Sequence, residues 1–310
     1  MANQRYSGKT AQTRRSPGLV ALAVGILFSI LLCSLAPAFA AQETPATPPA
    51  PNPPPSKQPR AKSQEEFQAY QKFVREQNPD EQIRLLEDFL LQYPDSELKE
   101  FAFLAATQAY QTKNDYPRVL TYGELTLAEN ENNLVALLVL ASSISERTGK
   151  SDADRDEKLA DAEQYAKRAL DVLAKLPQPP SLAPEQWDRT KKEASATSHA
   201  ALGMIGLIRE DFPRAESELK LAVELASQPD PVTLYRLGLC YSFQKKYDLA
   251  LETLGRAAES GGVKISAPEG ETRDLVAEAK EFVLKAKAAS ETPVSGGAGA
   301  PSPSPGSSAP

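Results

Sequence analysis

Apolar residues recur at every third or fourth position through most of the middle of the chain. One stripe, around the stretch YRLGLCYSFQKKYDLALETLGRAAE (residues 235–259), contains Leu234, Leu237, Gly238 and Tyr241. A second stripe follows and contains Tyr247, Ala250, Leu251, Leu254 and Ala257. Such spacing places each set on one face of an α-helix. Because residues 63–290 show no convincing strand alternation, the pattern predicts an all-α fold.

The same two stripes occur once more, 35 residues upstream. The matched residues are Leu202 with Leu237, Gly203 with Gly238, Phe212 with Tyr247, Ala215 with Ala250, and Ala222 with Ala257. Glycine inside a helix costs about 1 kcal/mol relative to alanine, so Gly238 is reasonable only where close packing offsets that cost. The repeat therefore predicts antiparallel helix hairpins that stack on one another.

This pattern resembles the tetratricopeptide repeat (TPR) family, in which a unit of about 34 residues carries Leu-Gly, two aromatic positions and two alanines. An earlier copy contains Phe103, Thr107, Tyr110, Tyr116 and Val119. The next contains Leu137, Leu140, Ala141 and Ile144, then Ala162, Ala169 and Leu170. A degenerate first copy contains Tyr70, Phe73, Ile83, Leu86 and Leu90, and a last amphipathic stretch contains Leu275, Val276, Ala279, Phe282, Val283 and Ala286. The resemblance implies a TPR-type superhelix of about four to five antiparallel helix pairs with a C-terminal capping helix.

The N-terminus differs from the repeats. Residues 1–40 have a basic start, a charge-free apolar run and a final Ala-Phe-Ala, which is typical of a signal peptide cleaved after Ala40. The run over residues 18–40 also approaches the ~20 residues that span a bilayer, so an uncleaved anchor is the alternative. Either form predicts export to the periplasm or cell envelope, with tethering to the inner membrane if the segment is retained.

Two further segments flank the repeats. Residues 41–62 are proline-rich and predict an extended linker. Residues 291–310 consist mainly of Pro, Ser, Gly and Ala and predict a disordered tail. The solenoid is therefore expected over residues 63–290.

Charge and cysteine content exclude some classes of function. The net charge is −6, and residues 1–40 carry four basic and no acidic side chains, so the mature chain has −6 − 4 = −10. An acidic chain lacks the electrostatic footprint of nucleic-acid binding. Cleavage also removes Cys33 and leaves Cys240 as the only cysteine, which excludes an internal disulfide.

One acidic turn has part of the spacing of a calcium loop. Asp152, Asp154, Asp156 and Glu163 occupy its first, third, fifth and twelfth places. Glu157 stands where such a loop needs glycine. The favoured interpretation is a helix start, with Ser151 as cap, Asp154 completing a capping box, and the i, i+4 pairs Asp154–Lys158 and Glu163–Lys167.

Catalytic and cofactor sites are not indicated. His199 has no histidine or cysteine partner nearby in sequence, so it is interpreted as a packing residue. Cys240 is interpreted as a packed thiol, and Trp187 as either a packed or an exposed contact residue. The chain is therefore expected to be neither an enzyme nor a cofactor protein.

The resemblance implies a partner-binding face formed by the first helix of each pair. The positions expected on it are Phe101, Leu104, Gln108, Val135, Leu138, Ser142, Ala200, Met204, Leu207, Ile208, Tyr235, Leu239 and Phe243. The last six, Met204, Leu207, Ile208, Tyr235, Leu239 and Phe243, form the candidate groove, whose apolar character favours an apolar or amphipathic protein segment. The alternative is that the capping helix, around residues 275–288, folds back and fills the groove.

These features predict an exported TPR scaffold for protein–protein interactions in the bacterial cell envelope. One version is an assembly or quality-control factor that serves outer-membrane insertion or the translocon, because FLLQYPDSELKEFAFLAATQAY (residues 89–110) is similar to that group. Another is an adaptor for cell-wall or polysaccharide export. A hydrolase built on a helical solenoid is a remote alternative.

Overall fold

The computed structural model describes residues 60–266 and 271–291. The predicted signal or anchor over residues 1–40, most of the linker and the tail beyond residue 291 lie outside these ranges. Among the described residues, no helix combines the length and the apolar character needed to cross a bilayer.

Eleven helices and two short strands follow one another in the described part of the chain. The helices are α1 (Gln64–Arg75), α2 (Pro79–Gln92), α3 (Lys99–Thr112), α4 (Tyr116–Glu129), α5 (Leu134–Arg147), α6 (Arg155–Lys175), α7 (Pro184–Ile208), α8 (Phe212–Leu225), α9 (Pro231–Phe243), α10 (Tyr247–Glu259) and α11 (Leu275–Glu291). The strands are β1 (Lys264–Ser266) and β2 (Thr272–Asp274). Consecutive helices pack as five pairs, from α1–α2 to α9–α10, and α11 packs against α10. The predicted all-α, TPR-type architecture is confirmed.

Local signals explain where the helices begin. Several helices have an Asn or Asp whose side chain accepts a hydrogen bond from a backbone N–H of the first turn, namely Asn78, Asp115, Asn133, Asp211 and Asp230. Proline follows in the first turn of α2, α4, α7, α8 and α9, where a missing N–H has no consequence. These caps define the short turns between and within pairs.

The turn inside a pair has the same conformation in three places. Asn114, Glu210 and Lys245 lie between the two helices of their pairs with φ of 58°, 61° and 61°. A left-handed conformation is uncommon for residues other than glycine. Its recurrence at equivalent places shows that the three hairpins close in the same way.

The hydrophobic core runs along the whole stack, and α5 is its most buried helix among those described. Eleven of its fourteen residues are buried. Because α5 contacts α4, α6 and α7, it is covered by neighbours on several sides and is apolar around most of its circumference.

Two features depart from a regular stack of repeat hairpins. A small antiparallel hairpin precedes α11, with Ile265 opposite Arg273, although no strand was predicted. α7 also has 25 residues, so its first half extends well beyond a standard repeat helix. Both differences bear on the groove.

Candidate partner-binding groove

A cavity of about 890 Å³ opens along the first helices of the last three pairs. Its walls come from α5, α7 and α9, and its end is closed by β1 with the start of α11. Cavities of this volume are large enough to hold a substantial ligand segment. We refer to this cavity as the groove.

All six residues predicted to form the candidate groove line this cavity: Met204, Leu207, Ile208, Tyr235, Leu239 and Phe243. Ile208 is buried, whereas Phe243 exposes 53% of its surface and stacks on Phe212 with 5.0 Å between ring centroids. The other four are half-buried. The structure thus brings the six together, and their role in binding a partner remains a prediction.

The N-terminal part of the predicted face is not open. Phe101, Leu104, Val135 and Leu138 are all buried, so the expectation that they line a groove is wrong. Val135 and Leu138 share a hydrophobic cluster with Ala194, in the extended first half of α7. The extra turns of α7 thus take up surface that a standard repeat would leave free.

Gln108 is half-buried but does not line the groove, whereas Ser142 and Ala200 do. The predicted face therefore holds only from the end of α5 onward.

The capping helix does not fill the groove. α11 packs against α10 with Val276, Ala279 and Val283 buried, and only its first residue, Leu275, lines the cavity. The alternative of a back-folded capping helix is therefore wrong. Phe282, expected on the buried stripe of this helix, is instead 59% exposed.

Most charged side chains at the groove already have partners. Arg236 of α9 reaches Glu146 of α5 at 3.3 Å, across the intervening α7. Lys150 pairs with Glu210 at 2.7 Å. The Glu193 carboxylate accepts a hydrogen bond from the Ser227 N–H at 2.7 Å.

Two further groups complete the polar description of the groove. Asp230 accepts hydrogen bonds from the backbone and hydroxyl of Thr233, so it serves as the α9 cap. Burial raises the pKa of the Tyr235 phenol above its usual value.

The acidic turn does not assemble a cation site. α6 begins at Arg155 with Asp154 as N-cap, but the Asp154 side chain makes no capping hydrogen bond, so the predicted capping box is wrong. Asp154 pairs with Lys158 at 2.9 Å and Glu163 with Lys167 at 2.7 Å, as predicted. Across the described ranges, no cluster of three His, Cys, Asp or Glu side chains is arranged to hold a metal ion.

The three other residues considered in the sequence, His199, Cys240 and Trp187, each make contacts that support the fold. His199 lies 2.7 Å from a Glu218 carboxylate oxygen, which links α7 to α8, so its role is a polar contact rather than packing alone. Cys240 is buried, and burial raises the pKa of its thiol to about 11, as expected for a packed thiol. Trp187 is buried, and the Lys191 ammonium group lies over its ring. Trp187 is therefore a packed residue and not an exposed contact residue.

The sequence-based reasoning missed the β1 side of the groove, which comprises Gly262, Val263, Lys264 and Ile265. A signal was present, because two glycines precede the run Val-Lys-Ile-Ser and the turn-forming Pro-Glu-Gly follows it. Turn-forming residues on both sides of a short alternating run are typical of a hairpin.

The packing around two glycines identifies the type of fold. A Cβ added to Gly203 would lie 2.5 Å from Cγ of Leu219, and one added to Gly238 would lie 2.7 Å from Cγ of Leu254. Each leucine follows its glycine by 16 residues, and the two sites are 35 residues apart. The chain has a TPR-type fold. Two of its repeats pack the glycine of the first helix against a leucine at the equivalent position of the second helix.

The similarities of this chain to known proteins are distant. No model of a known protein family matches the sequence. The chain is similar to Protein HGV2 of Halocynthia roretzi, with 39% identity over 71 residues that span 21% of this chain and only 14% of that relative.

Two solved structures illustrate the resemblance. The APC/C hetero-tetramer Cut9-Hcn1 has a TM-score of 0.48 and 15% identity, with 70% of this chain but only 35% of that chain covered. TTC0263, a thermophilic TPR protein of Thermus thermophilus, has a TM-score of 0.40 and 19% identity, with 71% and 98% covered. Because both scores are low, the TPR-type fold is assigned from the helix packing of this chain.

Proposed function

We propose that this protein is a scaffold that binds a partner protein in the groove. The observation that carries the proposal is the groove itself, an apolar cavity of about 890 Å³ on the first helices of three successive pairs. A surface that exposes aromatic and aliphatic side chains within a concave site is typical of an interaction site.

The partner is an apolar or amphipathic protein segment. Met204 contributes a flexible side chain that adapts to different shapes, and Phe243 contributes an exposed ring. Such walls bury apolar side chains of a ligand, which is the main source of binding free energy at the centre of an interface.

The finer part of the proposal is that the protein acts in the bacterial cell envelope. Support comes from residues 1–40, which have the pattern of a signal peptide or anchor. Within the envelope, an assembly or quality-control factor for outer-membrane insertion or the translocon is the more specific version. An adaptor for wall or polysaccharide export is the other version.

The hydrolase alternative has little support at the groove. A pair of carboxylates would have to share one cleft and remain available for proton transfer. Glu146 is instead engaged by Arg236, and Asp230 caps α9. We therefore favour binding over catalysis.

Charged substitutions in the groove test the proposal. We expect Phe243→Glu and Tyr235→Glu to abolish capture of the partner, because each places a carboxylate on the apolar wall. Phe243 is largely exposed, so its variant should keep the helical fold. The measurement is in-cell crosslinking of the tagged full-length protein followed by mass spectrometry, with circular dichroism of each purified variant.

Leu249→Glu is the matched control. Leu249 lies on α10, is 45% exposed and does not line the groove. A partner that is lost from both groove variants and retained by the control supports the scaffold. Identical crosslinked proteins from all variants contradict it.

A further inference from the structure

We propose that the partner binds as an extended strand, which pairs with β1 while its alternate side chains enter the groove. This inference rests on the proposed function, because it specifies how the groove holds its ligand. It differs from the helix-in-groove mode, in which the ligand satisfies its own backbone hydrogen bonds.

The hydrogen-bond register of the hairpin directs two backbone positions of β1 outward, Lys264 and Ser266, and of these Lys264 lines the groove. The N–H of Leu275 donates to the carbonyl of Val263 at 2.9 Å, so residues 263 and 275 oppose each other as a hydrogen-bonded position. Hydrogen-bonded and non-hydrogen-bonded positions alternate along an antiparallel ladder, and Lys264 opposes Asp274 at the next, non-hydrogen-bonded one. The N–H and C=O of Lys264 therefore point away from β2, and no other described residue bonds to them.

β1 is the strand of the hairpin whose residues border the groove. Val263, Lys264 and Ile265 line the cavity, whereas none of the β2 residues 272–274 does. Leu275, which opposes Val263, also lines it, so the cavity borders this end of the hairpin mainly through β1. We infer that the unpaired edge of β1 is accessible from the cavity. An open strand edge is a template for a further strand.

Charge adds a second feature to the ligand. Among the charged side chains that line the groove in the described residues, Lys264 is the one with no hydrogen-bond or ion-pair partner, and it is exposed. A carboxylate on the ligand beside β1 would complement this ammonium group. The ligand is therefore an extended segment with alternating apolar residues and an acidic residue near the β1 end.

The first experiment identifies and then dissects a probe ligand. A random dodecapeptide library displayed on phage is selected against the full-length protein, and peptides that also bind Phe243→Glu are discarded. The best remaining peptide is synthesised with single N-methyl groups along its backbone. Strand pairing predicts affinity losses of about tenfold or more at alternate residues and little change between them, because every second N–H faces β1.

The second experiment removes the donor on the protein side. Lys264→Pro deletes the outward N–H but no bond to β2, and proline is tolerated on an edge strand. Lys264→Ala is the matched control, since it removes the charge and keeps the N–H. We expect the proline variant to bind the peptide about fivefold or more weakly than the alanine variant, in the range of one hydrogen bond lost in an interface.

The outcomes separate the two proposals. If selection yields no peptide that depends on Phe243, both the scaffold and the strand mode are overturned. If groove-dependent peptides appear but N-methylation has no period-two effect, the scaffold stands and the strand mode is wrong. Should Lys264→Pro unfold by circular dichroism, the N-methyl scan alone decides.

Discussion

Gly206 is the glycine of α7 that the backbone of α8 approaches most closely. A Cβ added to it would lie 3.0 Å from both Cα and N of Ala215, so the obstacle is backbone rather than a movable side chain. Gly255, on α10, has nothing within 4 Å of the same hypothetical atom. The two glycines therefore differ in the reason for their presence, although both lie inside helices.

Alanine substitutions at these glycines should act in opposite directions. We expect Gly206→Ala to lower the free energy of unfolding by about 1–3 kcal/mol, because overpacking outweighs the gain in helix propensity. Gly255→Ala should raise it by about 0.5–1 kcal/mol, since only the propensity gain applies. Urea unfolding followed by circular dichroism measures both, and a stabilised Gly206→Ala variant would contradict the close approach.

At the scale of helices, Glu163 joins three elements. It lies on α6, and its carboxylate accepts hydrogen bonds from Arg209 at the C-cap of α7, Arg214 at the start of α8 and Lys167 of its own helix. Burial acts to raise the pKa of this carboxyl, but the hydrogen bonds from Arg214, Lys167 and Arg209 outweigh burial and lower the pKa to about 2. The ionised form is thus the one that holds α6 to the next pair.

The lowered pKa of Glu163 makes the stability of the folded protein depend on pH. Because the pKa of Glu163 is lower in the folded state, its contribution to stability is complete above the unfolded value and is lost as pH falls toward about 2. Glu163→Gln should therefore be less stable than wild type at pH 7, by about 1 kcal/mol after allowance for solvent screening. The difference should shrink below about pH 4, in the range where an unfolded glutamate protonates. Urea titrations at several pH values check this, and Glu157→Gln, an exposed site on the same helix, is the control.

At the scale of the whole molecule, the groove depends on parts that are not repeats. The extended first half of α7 covers the N-terminal face, and the β hairpin closes the C-terminal end. A regular stack would present one continuous concave face. The departures from regularity restrict the open surface to the last three pairs.

Export is the prediction that belongs to the full chain. We expect the protein produced in a bacterial host to begin at Ala41, because small residues precede that bond where a signal peptidase reads them. Intact-mass spectrometry of the periplasmic fraction checks the cleavage. Ala40→Leu should block processing, whereas Ala41→Ser should not. Full-length wild-type protein in the membrane fraction would favour the anchor instead, and full-length protein in the cytoplasm would contradict export.

The sequence by itself determined the helices, their pairing and the side of the stack on which the groove lies. Periodicity and cap residues are local signals, and the 35-residue spacing of Gly203 and Gly238 places them at equivalent contacts. For the same reason Tyr235, Leu239 and Phe243 could be assigned to one face before their neighbours were known. Position within a repeat is sufficient for such an assignment.

Only the tertiary structure decided which part of that face is open and what borders it. Val135 and Leu138 hold positions equivalent to groove residues, yet they are buried in a cluster that includes Ala194, about sixty residues away in sequence. Likewise Lys264 became a groove residue because the hairpin borders the same cavity as α7 and α9 in space. Burial depends on contacts between distant segments, and a local pattern of polar and apolar positions does not contain them.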